Sequence, residues 1–404
     1  MSTSLLYHAF GLRRYDYIRT EYADGQVLFT IRLPRERWAC STCGSRAVIG
    51  RGQSERRFKT LPIGNKPVTI IFPVPRVECQ QCGLIRQVDI ELADSRRTFT
   101  KAFERYALEL SRHMTIQDVA EHLNVSWDVI KDIQKRDLQH RFARPRLRDL
   151  RQIAIDEIYI GKGLRYLTVV LDLQTGVVVF VGEGKGADAL DPFWLRLSRS
   201  QAEIDAVAMD MSAAYYLAVQ THIPWAFVIF DHFHIIKLFN EKLSDLRRDL
   251  YRAANTTAQQ QVLQGTRWLL LKNPENLDPQ RNELQRLEEA LQLNKPLATA
   301  YYLKEDLRQL WQQPDKASAT TFLEDWIARA QASGIDILIR FAKTLQRREE
   351  GILAYYDYPI STGPLEGTNN KIKTMNRQAY GFRDLEFFKL KILAIHQAKY
   401  ALVG

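Results

Sequence analysis

Long hydrophobic runs are missing from this sequence of 404 residues, and none approaches the roughly eighteen residues of a membrane span. The N-terminal stretch MSTSLLYHAFGLRRYDY also lacks the basic, apolar and small-residue order of a signal peptide. We therefore expect a cytoplasmic protein. Cysteine is equally scarce, and its four residues leave no thiol outside the two pairs described below.

Positive and negative charges are nearly balanced over most of the chain, but not in its N-terminal part. Residues 1–150 carry 26 Lys and Arg against 17 Asp and Glu, whereas the remainder carries 31 against 30. A basic front indicates that this part contacts a polyanion and that the remainder has another task. A well-solvated basic surface is the alternative that charge alone leaves open.

The four cysteines form two pairs with the same spacing, Cys40-Ser-Thr-Cys43-Gly and Cys79-Gln-Gln-Cys82-Gly. The two-residue gap lets both thiolates of a pair reach one ion, and the following glycine permits a tight turn beneath it. Four thiolates make a closed tetrahedral shell, so we predict a structural Zn²⁺ site. Two disulfides are the alternative, which a reducing cytosol disfavours.

Strand-forming runs flank the cysteines. QVLFTIRLP precedes the first pair and PVTIIFPVPRVEC leads into the second, which predicts a zinc ribbon. Basic residues between the pairs suit phosphate contacts that position a protein on DNA without reading its sequence. The expected DNA contacts here are Arg56, Arg57 and Lys59.

Helical periodicity begins near Thr98. The stretch TIQDVAEHLNVSWDVIKDIQKRDLQHRF predicts a helix over 116–122, a short turn, and a second helix over 127–138 with Ser126 as its N-cap. This pattern is typical of a helix-turn-helix, although two aspartates in the second helix leave a small helical spacer as the alternative. The expected DNA contacts are Lys131, Lys135 and Arg136.

A new β pattern follows a basic linker that ends at residue 151. Three antiparallel strands are predicted first, followed by a helix, a strand, a helix and a strand, which is the order of an RNase H-like fold. The predicted strands are 152–159, 165–172, 176–182, one that ends at Asp210, and 226–230.

Acids interrupt two of these strands. Asp156 lies within the first strand and Asp210 ends the fourth, and these strands are neighbours in such a sheet. Because a carboxylate is costly to bury unless it is paired or metal-bound, we expect a divalent-metal site that needs a third acid from a packed helix. Glu366, at a helix entrance marked by Pro and Gly, is the candidate, and a solvated helix face is the alternative. Segment 239–345 shows no strand pattern and is expected to be a helical insertion.

Several features of the sequence occur together: the paired cysteine knuckles, the helix-turn-helix and the motifs IAIDEIYIGKG, AVAMDMSAAY, FDHFHIIK, LLLKNPENL and PLEGTNNKIKTMNRQAYGFRDLEFFKLKIL. As a set they resemble the DDE transposases of bacterial insertion sequences, most closely the ISL3 family. The resemblance covers nearly the whole chain. It implies that Asp156, Asp210 and Glu366 are catalytic and that the front domains bind the terminal inverted repeats of the element. It also implies a bacterial protein that is associated with the nucleoid when bound to DNA.

We therefore expect a multidomain α/β protein with two DNA-binding domains and an RNase H-like core interrupted by an all-helical insertion. The predicted domains are 1–97 (zinc ribbon), 98–143 (helix-turn-helix), 144–238 (first part of the core), 239–345 (insertion) and 346–404 (C-terminal part of the core).

The expected reaction is strand cleavage and strand transfer by a two-metal mechanism with Mg²⁺ or Mn²⁺. Its substrates are the double-stranded DNA of the terminal repeats and of the target, and a homodimer is the minimum that holds two ends. Asp231 and His234, at a helix start, are candidates for supporting the metal site by hydrogen bonding. His234 could also orient a DNA end or shuttle a proton, and an ordinary structural histidine is a further open alternative. The expected DNA contacts near the third acid are Asn369, Asn370, Lys371, Lys373, Arg377 and Arg383.

Two other function classes fit parts of the sequence. A transposase-derived DNA-binding regulator keeps the front domains without catalysing a reaction, but it has no need of all three acids. A structure-selective nuclease of the same fold keeps the acids but has little use for two DNA-reading modules.

Overall fold

The structure is a computed structural model, and it describes residues 5–161 and 165–398. It divides into two compact units. Unit 1 contains the chain up to Ala143 together with Gln378–Leu390, and unit 2 contains Arg144–Arg377 together with Lys391–Gln397. The first division coincides with the predicted boundary between the helix-turn-helix and the core.

The first sheet of unit 1 is built around a long hairpin. Its strands are β1 (Asp16–Ala23), β2 (Gln26–Arg32), β3 (Val48–Ile63), β4 (Lys66–Cys79) and β5 (Ile85–Gln87). The order is β1-β2-β4-β3, with β5 also paired to β4. Gly64 turns the hairpin with a φ of 60°, a conformation that glycine adopts without steric cost. Phe58, Val68 and Phe72 are fully buried in the core beneath it.

The helices of the front unit are α1 (Leu5–Phe10), α2 (Lys101–Leu110), α3 (Ile116–His122) and α4 (Trp127–Phe142). Helices α3 and α4 form the predicted helix-turn-helix. Thr115 caps α3 with a reciprocal pair of bonds to Asp118. Ser126 is the N-cap of α4 as predicted, but its side chain makes no capping bond, and α4 continues to Phe142, beyond the predicted end.

The sheet of unit 2 has the order β10-β9-β6-β7-β8. Its strands are β6 (Gln152–Gly161), β7 (Arg165–Asp172), β8 (Val178–Glu183), β9 (Ala206–Met209) and β10 (Phe227–Phe230). Strands β6, β7 and β8 pair antiparallel, while β9 pairs parallel with both β6 and β10. This is the predicted RNase H-like order, and its strands read as apolar runs because both faces of the sheet are covered.

The remaining helices are α5 (Asp191–Leu197), α6 (Ala213–His222), α7 (His232–Ala253), α8 (Thr257–Gly265), α9 (Arg267–Leu271), α10 (Glu283–Leu293), α11 (Lys295–Arg308), α12 (Lys316–Ala332), α13 (Asp336–Arg347), α14 (Glu349–Leu353), α15 (Gly363–Gln378) and α16 (Leu385–Leu393). Helix α7 starts directly after β10 and continues into the predicted insertion, of which every element described is helical. The insertion has its own aromatic centre, where Trp326 contacts Phe239 and Phe341.

Helix α14 returns the chain to the sheet. A Cβ at Gly351 would lie 2.5 Å from the ring of Phe230, so only glycine permits this close approach of α14 to β10. Among the described residues, no helix is both long and apolar enough to cross a lipid bilayer.

Candidate active site and zinc centre

The four cysteines converge on one point of unit 1. The Sγ atoms of Cys40 and Cys82 are 3.6 Å apart, those of Cys43 and Cys79 are 3.5 Å apart, and all four lie within 4.8 Å of one another. A tetrahedron with Zn–S bonds of about 2.3 Å separates its sulfurs by about 3.8 Å, so this arrangement fits zinc. No disulfide joins these cysteines.

The local backbone positions these four sulfurs and changes the pKa of their thiols. Gly44 and Gly83 both adopt positive φ, and their N–H groups donate to the carbonyls of Cys40 and Cys79. Hydrogen bonds from the Cys43 and Thr42 backbone lower the pKa of Cys40 to about 6, and backbone hydrogen bonds also lower the pKa of Cys79. The neighbouring thiols and burial raise the pKa of Cys43 and Cys82. A lowered thiol pKa favours the thiolate, which is the form that binds zinc. This geometry supports the predicted structural zinc site.

The candidate catalytic acids come from neighbouring strands of the second sheet. Strands β6 and β9 run parallel, and their last paired residues are Ile155 and Met209. The residue that follows each of them is an acid, so Asp210, directly after the end of β9, lies beside Asp156, midway along β6. The order and register of the strands bring the two acids together, whereas neither short spacing nor periodicity in the sequence does so.

The environment of Asp156 is unfavourable for an isolated negative charge. Burial raises the pKa of Asp156 and the Asp210 carboxylate raises it further, while the nearby His234 lowers it in part. Nδ1 of His234 is buried and has no hydrogen-bond partner among the described residues. In this environment, a bound cation would stabilise the ionised form of Asp156.

Helix α15 carries Glu366 and is joined to β6 by two side-chain amides. Asn369 Nδ2 donates to Asp156 Oδ2 at 2.8 Å, and Asn376 Nδ2 donates to the Ile160 carbonyl at 3.0 Å. Asn369, expected to contact phosphate, is instead only 4% exposed, because it lies on the face of α15 that packs on the sheet. Glu366 is exposed and lies three residues before it.

The start of α15 is held by Asp231. This residue is 2% exposed and is the N-cap of α7, accepting a bond from the Phe233 N–H at 2.7 Å. Its other oxygen accepts from the Thr362 backbone N–H at 2.6 Å and the Thr362 hydroxyl at 2.5 Å. Asp231 therefore joins the end of β10 to the residue that precedes α15. The sequence predicts a supporting role for Asp231 but does not reveal Thr362 as its partner.

A further acid, Glu157, directly follows Asp156 on β6. Burial raises its pKa, and Asp210 and Asp156 raise it further. It also contacts Tyr215, whose hydroxyl lies 2.9 Å from the Thr168 hydroxyl, and Thr168 is the residue paired with Glu157 in β7. In the sequence, only the two adjacent acids of the motif IAIDEIY indicate this arrangement.

The acids do not form a closed ligand shell by themselves. Among the residues described, only the four cysteines form a group of three or more ligating side chains whose ligand atoms lie within 4.8 Å of one another. The structure thus brings Asp156 and Asp210 together on the sheet and places Glu366 on the helix that contacts Asp156.

Comparison with known proteins identifies the family of this chain. A family model described as the transposase of the ISL3 type matches residues 153–392, which include all three acids. The chain belongs to the ISL3 family of transposases. Two further models match its front: the zinc finger of the IS204/IS1001/IS1096/IS1165 transposases over residues 36–82, and the helix-turn-helix domain of ISL3 transposases over 88–137.

Two curated relatives resemble the transposase over most of its length. The transposase for insertion sequence element IS1001 of Bordetella parapertussis is 33% identical over 392 residues, covering 95% of this chain and 96% of the relative. The transposase for IS1557 of Mycobacterium tuberculosis is 29% identical over 371 residues, covering 85% and 82% respectively. The helix-turn-helix and transposase domains make this a DNA-binding protein.

The basic residues expected on the helix-turn-helix of the transposase are engaged in ion pairs. Lys131 and Lys135 pair with Asp384, at 3.0 and 3.1 Å, and Arg136 pairs with Glu104 at 2.6 Å. DNA contact by these residues would have to compete with those acids. The same pairs explain why residues 378–390, expected within the core, group with unit 1 instead.

The other expected DNA contacts differ in exposure. Arg57 is exposed, while Arg56 donates to the Arg97 carbonyl at 2.8 Å and Lys59 donates to the Asn124 carbonyl. Around α15, all of the remaining candidates are exposed, namely Asn370, Lys371, Lys373, Arg377 and Arg383.

Proposed function

We propose that this transposase cleaves DNA at the terminal inverted repeats of its element and joins the resulting 3′-hydroxyls to target DNA. Asp156, Asp210 and Glu366 are the proposed catalytic acids. The observation that carries the proposal is the register of β6 with β9, which sets Asp210 beside Asp156, together with the bond from Asn369 of α15 to Asp156.

The donor set fits a hard divalent cation. Asp156, Asp210 and Glu366 offer only carboxylate oxygens, the ligands that Mg²⁺ and Mn²⁺ prefer, and they would hold the ions in the site. Bound there, such ions would supply Lewis-acid stabilisation of the attacking and leaving oxygens of an in-line displacement at phosphorus.

The chain's own residues position the reactants. Asn369 orients the Asp156 carboxylate, and Asp231 holds the start of the helix that carries Glu366. The exposed Lys371 and Lys373 are proposed to bind phosphates of the scissile strand. In cleavage, water attacks phosphorus and the 3′-oxygen leaves as a hydroxyl. In transfer, that hydroxyl attacks a target phosphate and displaces a target 3′-hydroxyl.

The front of the transposase is proposed to recognise the terminal repeats. The zinc ribbon and the helix-turn-helix lie in unit 1, and basic side chains on both suit phosphate contacts. Since two ends must be held together for transfer, we propose a homodimer in the DNA complex. We further propose that the DNA-bound protein associates with the bacterial nucleoid.

The test is cleavage of a labelled duplex that carries the element's own terminal repeat, in the presence of Mg²⁺. We expect the wild type to nick at the repeat boundary, Glu366→Gln to abolish nicking, and both proteins to bind the duplex equally. Glu324→Gln, which removes an exposed acid from α12, is the matched control and should nick normally.

Each contrary outcome has a distinct meaning. Nicking that survives Glu366→Gln would remove Glu366 from the catalytic set. Tight binding without nicking by the wild type would support a DNA-binding regulator instead.

A further inference from the structure

The amide of Asn369 has one satisfied and one unsatisfied end. Its Nδ2 donates to Asp156 Oδ2 at 2.8 Å, while its Oδ1 is buried and accepts no hydrogen bond from any described residue. The whole side chain is 4% exposed. A buried acceptor without a partner is costly and rare in folded proteins, so a missing partner is the natural explanation.

The orientation of this amide follows from its neighbour. An ionised carboxylate only accepts hydrogen bonds, so the Asn369 amide must present its Nδ2 to Asp156. Its Oδ1 then belongs to the same small group of atoms as the Asp156 carboxylate. The missing partner must therefore lie in the immediate neighbourhood of Asp156.

The chemistry of the missing partner is restricted. An amide oxygen needs a hydrogen-bond donor or a cation, and the oxygens of a DNA phosphate diester are acceptors only. A phosphate contact would therefore leave Oδ1 unsatisfied. A divalent cation held by Asp156 satisfies it, because amide oxygens are ordinary ligands of hard cations.

Helical geometry adds Glu366 to the same group. Residues three apart on an α-helix lie on the same face, so Glu366 and Asn369 project from α15 in neighbouring directions. The packing of α15 is further defined by the buried Leu365 and Ile372. One helical turn of α15 thus carries both a carboxylate and the amide that contacts Asp156.

We infer that Asn369 Oδ1 is a fourth protein ligand of the catalytic cation, beside the three acids. The inference rests on the proposed function, because it takes Asp156 to be a metal ligand. It assigns Asn369 to metal binding rather than to phosphate binding.

The test measures Mn²⁺ affinity without DNA, by the electron paramagnetic resonance signal of the free ion, on the full chain with its cysteine site loaded with zinc. We expect Asn369→Ala to raise the Kd for Mn²⁺ at least about tenfold, as loss of an oxygen ligand or its support does. We expect Asn369→Asp to bind Mn²⁺ at least as tightly as the wild type, because it supplies a charged oxygen at the same place. Gln378→Ala, which removes an exposed amide from the end of α15, should leave the Kd unchanged.

The aspartate variant separates a ligand from a residue that only positions Asp156. If Asn369 acts solely through its Nδ2, Asn369→Asp loses that donor, repels Asp156 and weakens Mn²⁺ binding as the alanine variant does, which would overturn the inference. An unchanged Kd in a folded Asn369→Ala, with a normal thermal melt, would overturn it too.

A further variant distinguishes the inference from the proposed function. If Asp156→Asn weakens Mn²⁺ binding and Asn369→Ala does not, only the inference fails. If neither variant changes the Kd, the proposed metal site fails together with it.

Discussion

Thr362 is expected to control the position of the catalytic helix through one hydroxyl. Thr362→Val removes this hydroxyl and nearly preserves the side-chain shape. The hydroxyl donates to the buried Asp231 carboxylate at 2.5 Å, and hydrogen bonds to charged groups contribute about 1.5–3 kcal/mol. The substitution should therefore lower the free energy of unfolding of unit 2 by about 2 kcal/mol.

The effect on catalysis should exceed the effect on stability. Thr362 directly precedes α15, and its carbonyl accepts the first helical bond from the Glu366 N–H at 2.8 Å. If the start of α15 shifts, Glu366 shifts with it, and a misplacement of about 1 Å costs on the order of 100-fold in rate. We expect DNA nicking to fall between about 10-fold and 100-fold and to require more Mg²⁺.

Two further variants make this experiment decisive. Thr362→Ser keeps the hydroxyl and should restore nicking and most of the stability. Thr374→Val is the matched control, because its hydroxyl donates to the Asn370 carbonyl on the exposed side of the same helix. Denaturant unfolding and Mg²⁺ titration of nicking are the measurements. Normal stability and normal Mg²⁺ dependence in Thr362→Val would refute the reasoning.

Three other predictions concern separate parts of the molecule. Chelation of zinc should unfold the ribbon and weaken binding to the terminal repeat, and undiminished repeat binding after complete zinc removal would contradict this. Burial lowers the pKa of Lys391 to about 8, so the folded state disfavours its charge. Lys391→Met should raise the free energy of unfolding at pH 7, and this gain should shrink between about pH 8 and the ordinary lysine pKa, as pH-dependent denaturation would reveal. Trp326 is fully buried and donates to the Leu303 carbonyl. Trp326→Ala should therefore lower the free energy of unfolding, measured by thermal unfolding, by about 3–5 kcal/mol. Trp268 is 66% exposed, so Trp268→Ala should lower it by less than about 0.5 kcal/mol.

Much of the fold is readable from the sequence because local patterns encode it. The cysteine pairs predict their convergence since each knuckle needs only five consecutive residues. The strands of the second sheet read correctly because burial on both faces makes them apolar. Strands β1 and β3 of the first sheet are not predicted, and β3 shows the reason. Its first half is exposed and polar, with Arg51 and Glu55 along it, so it lacks the hydrophobic pattern by which strands are recognised.

The environment of the basic side chains depends on distant parts of the chain. Nothing near Lys131 and Lys135 in the sequence reveals an ion-pair partner, but both pair with Asp384, about 250 positions away in the chain. Charge counts over a window cannot detect such a partner, because Coulomb attraction depends on spatial distance.

The sequence by itself predicted the cysteine cluster, the helix-turn-helix and the order of the strands, since each follows from local spacing and periodicity. The three acids are candidates named from their places on the predicted strands and helix and from the family resemblance. Only the tertiary structure decided how these acids are supported. Asp231 meets Thr362 across 131 positions, and Asn369 meets Asp156 across 213. Both contacts exist because α15 packs on the sheet, and no local pattern records which polar groups such packing brings within hydrogen-bonding distance.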